Sequence, residues 1–216
     1  MKIALINASP RGKSSTSAVL LEKTKEYIQG ADSGTNEFFE VKADKEKLES
    51  PQLEMLKNAE IWVFANPLYI DSLPGHLLAV LEQLEAECRE GHKVYVIINC
   101  GFFEAEQNKT ALRVYKNWCS KCGYEWCGAA AIGGGGGIGF MPSGIPFNAG
   151  PLKPINDAVV RLSACISGGT KTEDIFASIG MPRLLYLLGG HSGWKKAAKA
   201  NGLKVKDLYR NPLETL

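Results

Sequence analysis

The chain has 216 residues, 45% of them hydrophobic, enough to bury the core of one ordinary α/β domain without requiring a second. A net charge of +2 and a pI of about 8.1 are too mild to indicate nucleic acid, and the apolar runs fall far short of the ~20 residues of a membrane span. No cationic segment followed by an apolar one and a cleavage site opens the chain, so a cytoplasmic, reducing location is expected, with the six cysteines mostly as thiols.

The first element is an apolar run, Lys2-Ile-Ala-Leu-Ile-Asn7, which breaks into Ala8-Ser-Pro-Arg-Gly-Lys-Ser-Ser-Thr16 and then a helical pattern. Such a turn brings hydroxyls and a guanidinium to the unpaired N–H groups and partial positive charge of a helix start, which makes an anion site. The ligand expected there is a phosphate. Gly12-Lys13-Ser14 resembles the end of a Walker A loop, but the first glycine of that pattern falls on Asn7. The two later apolar strands end in Asn66 and Asn99 rather than in a magnesium-binding Asp. Nucleotide hydrolysis is therefore the lesser reading.

Further along, strands are predicted at 37–42, 61–66, 93–99 and 126–132. Ile61-Trp-Val-Phe-Ala65 and Val94-Tyr-Val-Ile-Ile98 are continuous apolar runs, as in strands covered on both faces. Between them, helices are read from apolar positions at 20, 24, 27 and 28, at 77, 81, 84 and 88, and at 111, 115, 118 and 122. Gly30, Gly91 and Gly123 stand where left-handed caps would close them, and Ser50-Pro51 reads as the start of a short helix. Five strands alternating with helices imply a doubly wound five-stranded parallel sheet with helices on both faces.

In such sheets ligands sit beyond the carboxyl ends of the strands, where the strand order switches. The loops expected to converge there are Ala8–Thr16, Asn66-Pro-Leu-Tyr-Ile-Asp71 and Asn99-Cys-Gly-Phe-Phe-Glu104. One suits phosphate, and the other two offer aromatic faces, backbone amides and small residues. That combination describes FMN.

These motifs resemble the flavodoxin-like NAD(P)H-dependent FMN reductase family, which opens strand-G-S-P-R-x-x-S-N-T-helix. Its third strand is followed by Pro-x-Tyr and a Pro-Gly helix start, here Pro67-Leu-Tyr69 and Leu73-Pro-Gly-His76. The match covers the first 132 residues. It implies a flavodoxin-like fold in which Ser9, Arg11, Ser14, Ser15 and Thr16 hold the FMN phosphate. By the same resemblance Pro67, Leu68, Tyr69 and Ile70 line the isoalloxazine, and Asn99, Cys100, Gly101 and Phe102 cover its other edge. Ala8 replaces the family's glycine, Ser15 its asparagine, and Leu78 stands where relatives often have lysine. The function implied is an oxidoreductase passing hydride from NAD(P)H through bound FMN to a small-molecule electron acceptor. A flavodoxin-type electron carrier and a flavin-binding protein without turnover are the alternatives. No catalytic side chain is named, because the flavin carries the chemistry.

Other motifs carry less. Gly134-Gly-Gly-Gly-Ile-Gly139 satisfies a dinucleotide pattern only because glycines are consecutive, and the following Phe140-Met-Pro-Ser-Gly-Ile-Pro146 does not suit a helix. It reads as a loop allowing close approach, or as a plain connector. Cys119, Cys122 and Cys127 lack a fourth ligand at workable spacing and read as packed thiols, with no metal expected. His76 opens the helix after the Tyr69 loop and is expected to be exposed. The whole chain is read as a single domain, residues 1–216, with a core at 1–166 and a C-terminal helical extension at 167–216. A helix apolar at 152, 155, 159 and 162 is expected to complete the sheet. The segment from Met181 to Lys199, an apolar run followed by a basic helix, is read as packing on the domain, joining a homodimer or touching a membrane surface.

Overall fold

The computed structural model describes residues 1–31, 36–138 and 145–211, and the chain divides into two compact units, Met1–Gly180 and Met181–Leu216. In the first, six parallel strands form one sheet: β1 (Lys2–Asn7), β2 (Glu37–Lys42), β3 (Ile61–Pro67), β4 (Lys93–Asn99), β5 (Glu125–Gly133) and β6 (Ile175–Ser178), in the order β2-β1-β3-β4-β5-β6. The five-stranded expectation is thereby corrected. Four residues, Ile-Phe-Ala-Ser, pair in parallel with Ala130 to Gly133 of β5 and extend the sheet inside the segment read as a helical extension.

The remaining elements alternate with the strands: α1 (Thr16–Ala31), α2 (Ser50–Asn58), α3 (Gly75–Glu87), α4 (Lys109–Cys122), the single turn α5 (Gly135–Ile138) and α6 (Lys153–Gly168). The sheet's two faces explain the unbroken apolar runs, because alternate residues enter different cores. On one face Trp62, Phe64, Val96 and Ile98 pack with α2, α3 and α4 around Leu56, Leu81, Tyr115 and Trp118. The other face is covered by α1 and α6, which pack against each other. The connection from β5 through α6 to β6 thus runs on the face opposite to the one used by α3 and α4.

Local sequence accounts for the helix ends. Gly123 closes α4 in the left-handed conformation, as its position foretold, whereas Gly30 lies inside α1, which runs on to Ala31. α2 is capped by Glu49 and Gln52 in a reciprocal capping box, one residue ahead of the predicted Ser50. The register between β4 and β5 slips at Val94/Tyr95, and Gly128 there has φ of 128°, with a Cβ position 2.5 Å from Thr172 Cγ2. Only glycine lets the chain after α6 come this close.

Just before the amino end of β4, His92 stacks on Trp62 with centroids 4.1 Å apart, and its Nδ1 faces the Ala59 carbonyl at 2.8 Å. Burial holds the His92 pKa below its ordinary 6.5, against a smaller opposing contribution from the Ala59 hydrogen bond. The unfolded chain therefore binds the proton more readily, and stability present above pH 6.5 is lost as pH falls through the lower folded value. Urea unfolding midpoints should be level from about pH 8 to about 6.5 and fall as the pH drops below about 6.5. His92→Phe, which keeps a ring over Trp62, should flatten that interval; an unchanged slope in the variant contradicts the assignment.

Candidate functional site

Strand order switches between β1 and β3, and in such sheets a ligand crevice is expected at their carboxyl ends, where the loops after β1, β3 and β4 meet. Hydrogen bonds join them directly. Asn99, 6% exposed at the end of β4, donates through Nδ2 to Ser17 Oγ at 3.0 Å and to the Asn66 carbonyl at 3.2 Å. Asn66, fully buried at the end of β3, accepts the Tyr115 hydroxyl on Oδ1 at 2.8 Å. The Leu68 amide donates to the Asn99 carbonyl at 2.8 Å, and His76 Nε2 lies 3.2 Å from the Ala8 carbonyl.

Within the first loop Asn7 acts as a brace. Its Oδ1 accepts the Ser9 amide at 3.1 Å and its Nδ2 donates to the Gly12 carbonyl at 3.2 Å, while Gly12 adopts φ of 56°. The hydroxyls expected to hold phosphate are engaged inside the protein. Ser14 Oγ donates to the Arg11 carbonyl at 3.0 Å, Ser15 Oγ to the Gly12 carbonyl at 2.6 Å, and Thr16 Oγ1 to the Gly135 carbonyl at 3.1 Å. Ser15 also accepts the Ala18 amide at 3.1 Å and is the N-cap of α1. Ser9, 2% exposed, accepts the Arg11 amide on Oγ at 3.4 Å.

What remains for an anion is backbone and guanidinium. The amides of Thr16 and Ser17 have no acceptor among the described residues, and Arg11 is exposed without a carboxylate partner among them. Both kinds of donor stand at the positive end of the 16-residue α1.

The second and third loops divide their residues between core and surface. Leu68 and Cys100 are buried, so their side chains belong to the core and only their backbones reach the crevice; burial also pushes the Cys100 thiol pKa up. Tyr69, Ile70 and Phe102 are 43%, 100% and 54% exposed and present apolar surface. Ile70 and Asp71 have φ of 48° and 55° in a tight turn closed by reciprocal hydrogen bonds between Tyr69 and Ser72. A β-branched residue there is strained, and strain of this kind collects at functional sites. Pro67 ends β3 opposite Asn99, and Gly101 is exposed with open space over its Cβ position.

The glycine run makes close approaches. A Cβ on Gly133 would stand 2.3 Å from the Phe103 carbonyl oxygen, and one on Gly135 3.0 Å from Asn99 Cβ. The Gly134 and Gly135 amides donate to the carbonyls of Phe102 and Cys100, and the run forms the single turn α5 where the sequence suggested no helix. The stretch 139–144 lies outside the described residues.

Asn7, Asn66, Asn99 and Asn108 position these loops. Sequence reasoning missed that role for all four, having read Asn66 as a strand end lacking Asp and Asn99 as both that and a cover for the edge of the ring. Asn108 donates to the Ala105 and Ile132 carbonyls at 2.9 and 3.2 Å from full burial. Cys119 and Cys127 are buried, the Cys119 pKa pushed up to about 12 by burial, and Cys122 lines a surface depression with Cys88 and Glu85.

No protein-family model matches the chain, and no curated protein matches it. Solved structures do. The chain is similar to an FMN-dependent NADH-azoreductase from Bacillus anthracis str. Ames Ancestor in complex with FMN, with 15% identity, 77% of this chain and 99% of that chain covered, and a TM-score of 0.53. An NAD(P)H:quinone oxidoreductase from Methanothermobacter marburgensis matches at 14% identity over 77% and 96% of the two chains, TM-score 0.53. A Streptococcus pneumonia TIGR4 flavodoxin matches at 11% identity over 79% and 100%, TM-score 0.55. At these identities the likeness establishes a flavodoxin-like fold, here with a sixth strand.

The cap geometry separates two neighbouring serines. Ser15→Ala should cost about 1–2 kcal/mol, or roughly 2–8 °C in Tm. Ser14→Ala, an exposed change, should stay within about 0.5 kcal/mol. Equal losses by calorimetry contradict the inward placement of Ser15.

Proposed function

We propose that the chain is an FMN-dependent oxidoreductase that uses NAD(P)H as donor and reduces a small, flat electron acceptor. The observation that carries this reading is the convergence, at one strand switch point, of an open helix N-terminus with an exposed arginine and of loops bearing exposed Tyr69, Ile70 and Phe102. The donor set suits a phosphate monoester, and the apolar loops suit a flat ring attached to it. Similarity in fold to an FMN-dependent azoreductase and an NAD(P)H:quinone oxidoreductase supports the same reading.

In this proposal the Thr16 and Ser17 amides and Arg11 hold the FMN phosphate, with Ser9, Ser14 and Ser15 shaping the loop that presents them. Pro67, Leu68, Tyr69 and Ile70 border one side of the ring, and Asn99, Cys100, Gly101 and Phe102 another. The chemistry supplied when FMN is bound is two-electron transfer between NAD(P)H and the acceptor. The chain's own residues orient the ring through backbone groups and leave one face open for donor and acceptor in turn. A cytoplasmic homodimer is part of the same proposal.

FMN should bind far more tightly than riboflavin, which lacks the phosphate. Arg11→Ala should weaken FMN by about 1.5–3 kcal/mol and leave riboflavin unchanged. Equal affinities for the two flavins in calorimetric titration remove the phosphate site. In an anaerobic cuvette NADH or NADPH alone should bleach the bound flavin, and a quinone or dye should restore its colour. Flavin that stays oxidised with both nicotinamides, yet is reduced by dithionite, leaves the carrier or binding-protein reading instead.

A further inference from the structure

The second unit consists, among its described residues, of α7 (Arg183–Ala200) and a short 3-10 turn, Val205–Tyr209. Its large apolar side chains are on the surface: Leu184, Leu185, Leu188, Trp194 and Tyr209 are all more than half exposed, and Ala198 is the one buried residue of α7. Leu184, Leu187, Leu188, His191 and Trp194 recur at the three- and four-residue spacing of one helix face. Exposed Leu185 lies outside that face, so apolar surface wraps the first half of α7, and exposed apolar surface of this extent marks an interaction surface.

Charge identifies the partner. Residues 181–216 carry seven Lys/Arg against two Asp/Glu, whereas residues 1–180 carry 18 against 21. Asp207 is already engaged, by Arg210 at 3.3 Å and by the Lys204 amide at 2.8 Å. Lys195, Lys196 and Lys199 face no carboxylate among the described residues. The apolar surface occupies the first half of α7 and the lysines the second, with Trp194 where they meet.

We propose that this unit adsorbs to an anionic lipid bilayer, its leucines and Trp194 entering the headgroup–acyl boundary and its lysines facing lipid phosphates. Leu, Trp and Lys together on an exposed helix are the composition of interfacial binding, in which hydrocarbon covers the apolar stripe and anionic headgroups neutralise the cations. No described helix is long and apolar enough to cross a membrane, so the attachment is peripheral. A second copy of the chain fits less well, because α7 carries no carboxylate to meet the lysines of its counterpart.

Flotation of the full chain with vesicles tests it. Partition onto equimolar phosphatidylglycerol and phosphatidylcholine should exceed that onto phosphatidylcholine alone by about tenfold or more, and should fall as salt is raised. Trp194 emission should shift to the blue on binding, a shift absent in Trp194→Ala. Combined Lys195→Glu, Lys196→Glu and Lys199→Glu should cut partition at least about tenfold, and Leu184→Ser with Leu188→Ser should reduce it at constant charge. These positions are exposed, and circular dichroism verifies that the variants fold. Equal partition onto both vesicles, or undiminished binding by the charge-reversed chain, overturns the proposal. So does a concentration-dependent dimer that the leucine variant dissociates, which assigns the face to a second copy.

Discussion

The crevice depends on two buried asparagines. Asn66 and Asn99 end adjacent parallel strands, and their amides link Tyr115 of α4, the end of β3, the end of β4 and Ser17 of α1 in one hydrogen-bonded chain. Parallel strands end in unpaired backbone groups, and loops leaving them have no intrinsic reason to stay together. In a low-dielectric setting each such bond is strong, and removing one member strands its neighbour, at a cost of about 1–3 kcal/mol per buried group. An apolar residue at 66 would leave the fully buried Tyr115 hydroxyl without its acceptor. These residues are positioning groups: they touch loops, and the loops present the site.

A turn rich in Ser and Thr invites the view that hydroxyls bind phosphate, yet three of those hydroxyls donate to carbonyls of the protein itself. In the proposed site this gives the ligand the amides and Arg11, presented by a loop that its own hydrogen bonds hold in shape. Preorganised amides cost little on binding, which favours a site formed in advance. The strained turn at Ile70 and Asp71 and the glycine approaches to Phe103 and Asn99 hold the other walls close by.

Much of this was legible from sequence for identifiable reasons. The unbroken apolar runs of β3 and β4 mark strands covered on both faces, and the three loops follow from strand order alone. The sixth strand was not legible, because four residues after a polar linker carry no period and its connection crosses on the α1 face. Gly30 failed as a cap because α1 continues past it, and the capping role moved to Glu49 at α2 because its side chain pairs reciprocally with Gln52. The asparagines' roles and the inward turn of Ser15 are side-chain choices among equally polar alternatives. Sequence pattern does not distinguish them.

The central claim is that three separate loops form one ligand site. An amide NMR titration of the isotopically labelled chain with FMN tests it most directly. Signals of Ser14 to Ser17, Tyr69 to Ser72 and Gly101 to Phe102 should shift together with a single saturation curve, while those of α7 and of the Cys88–Cys122 depression stay in place. Shifts confined to one loop, or clustered away from all three, would contradict it.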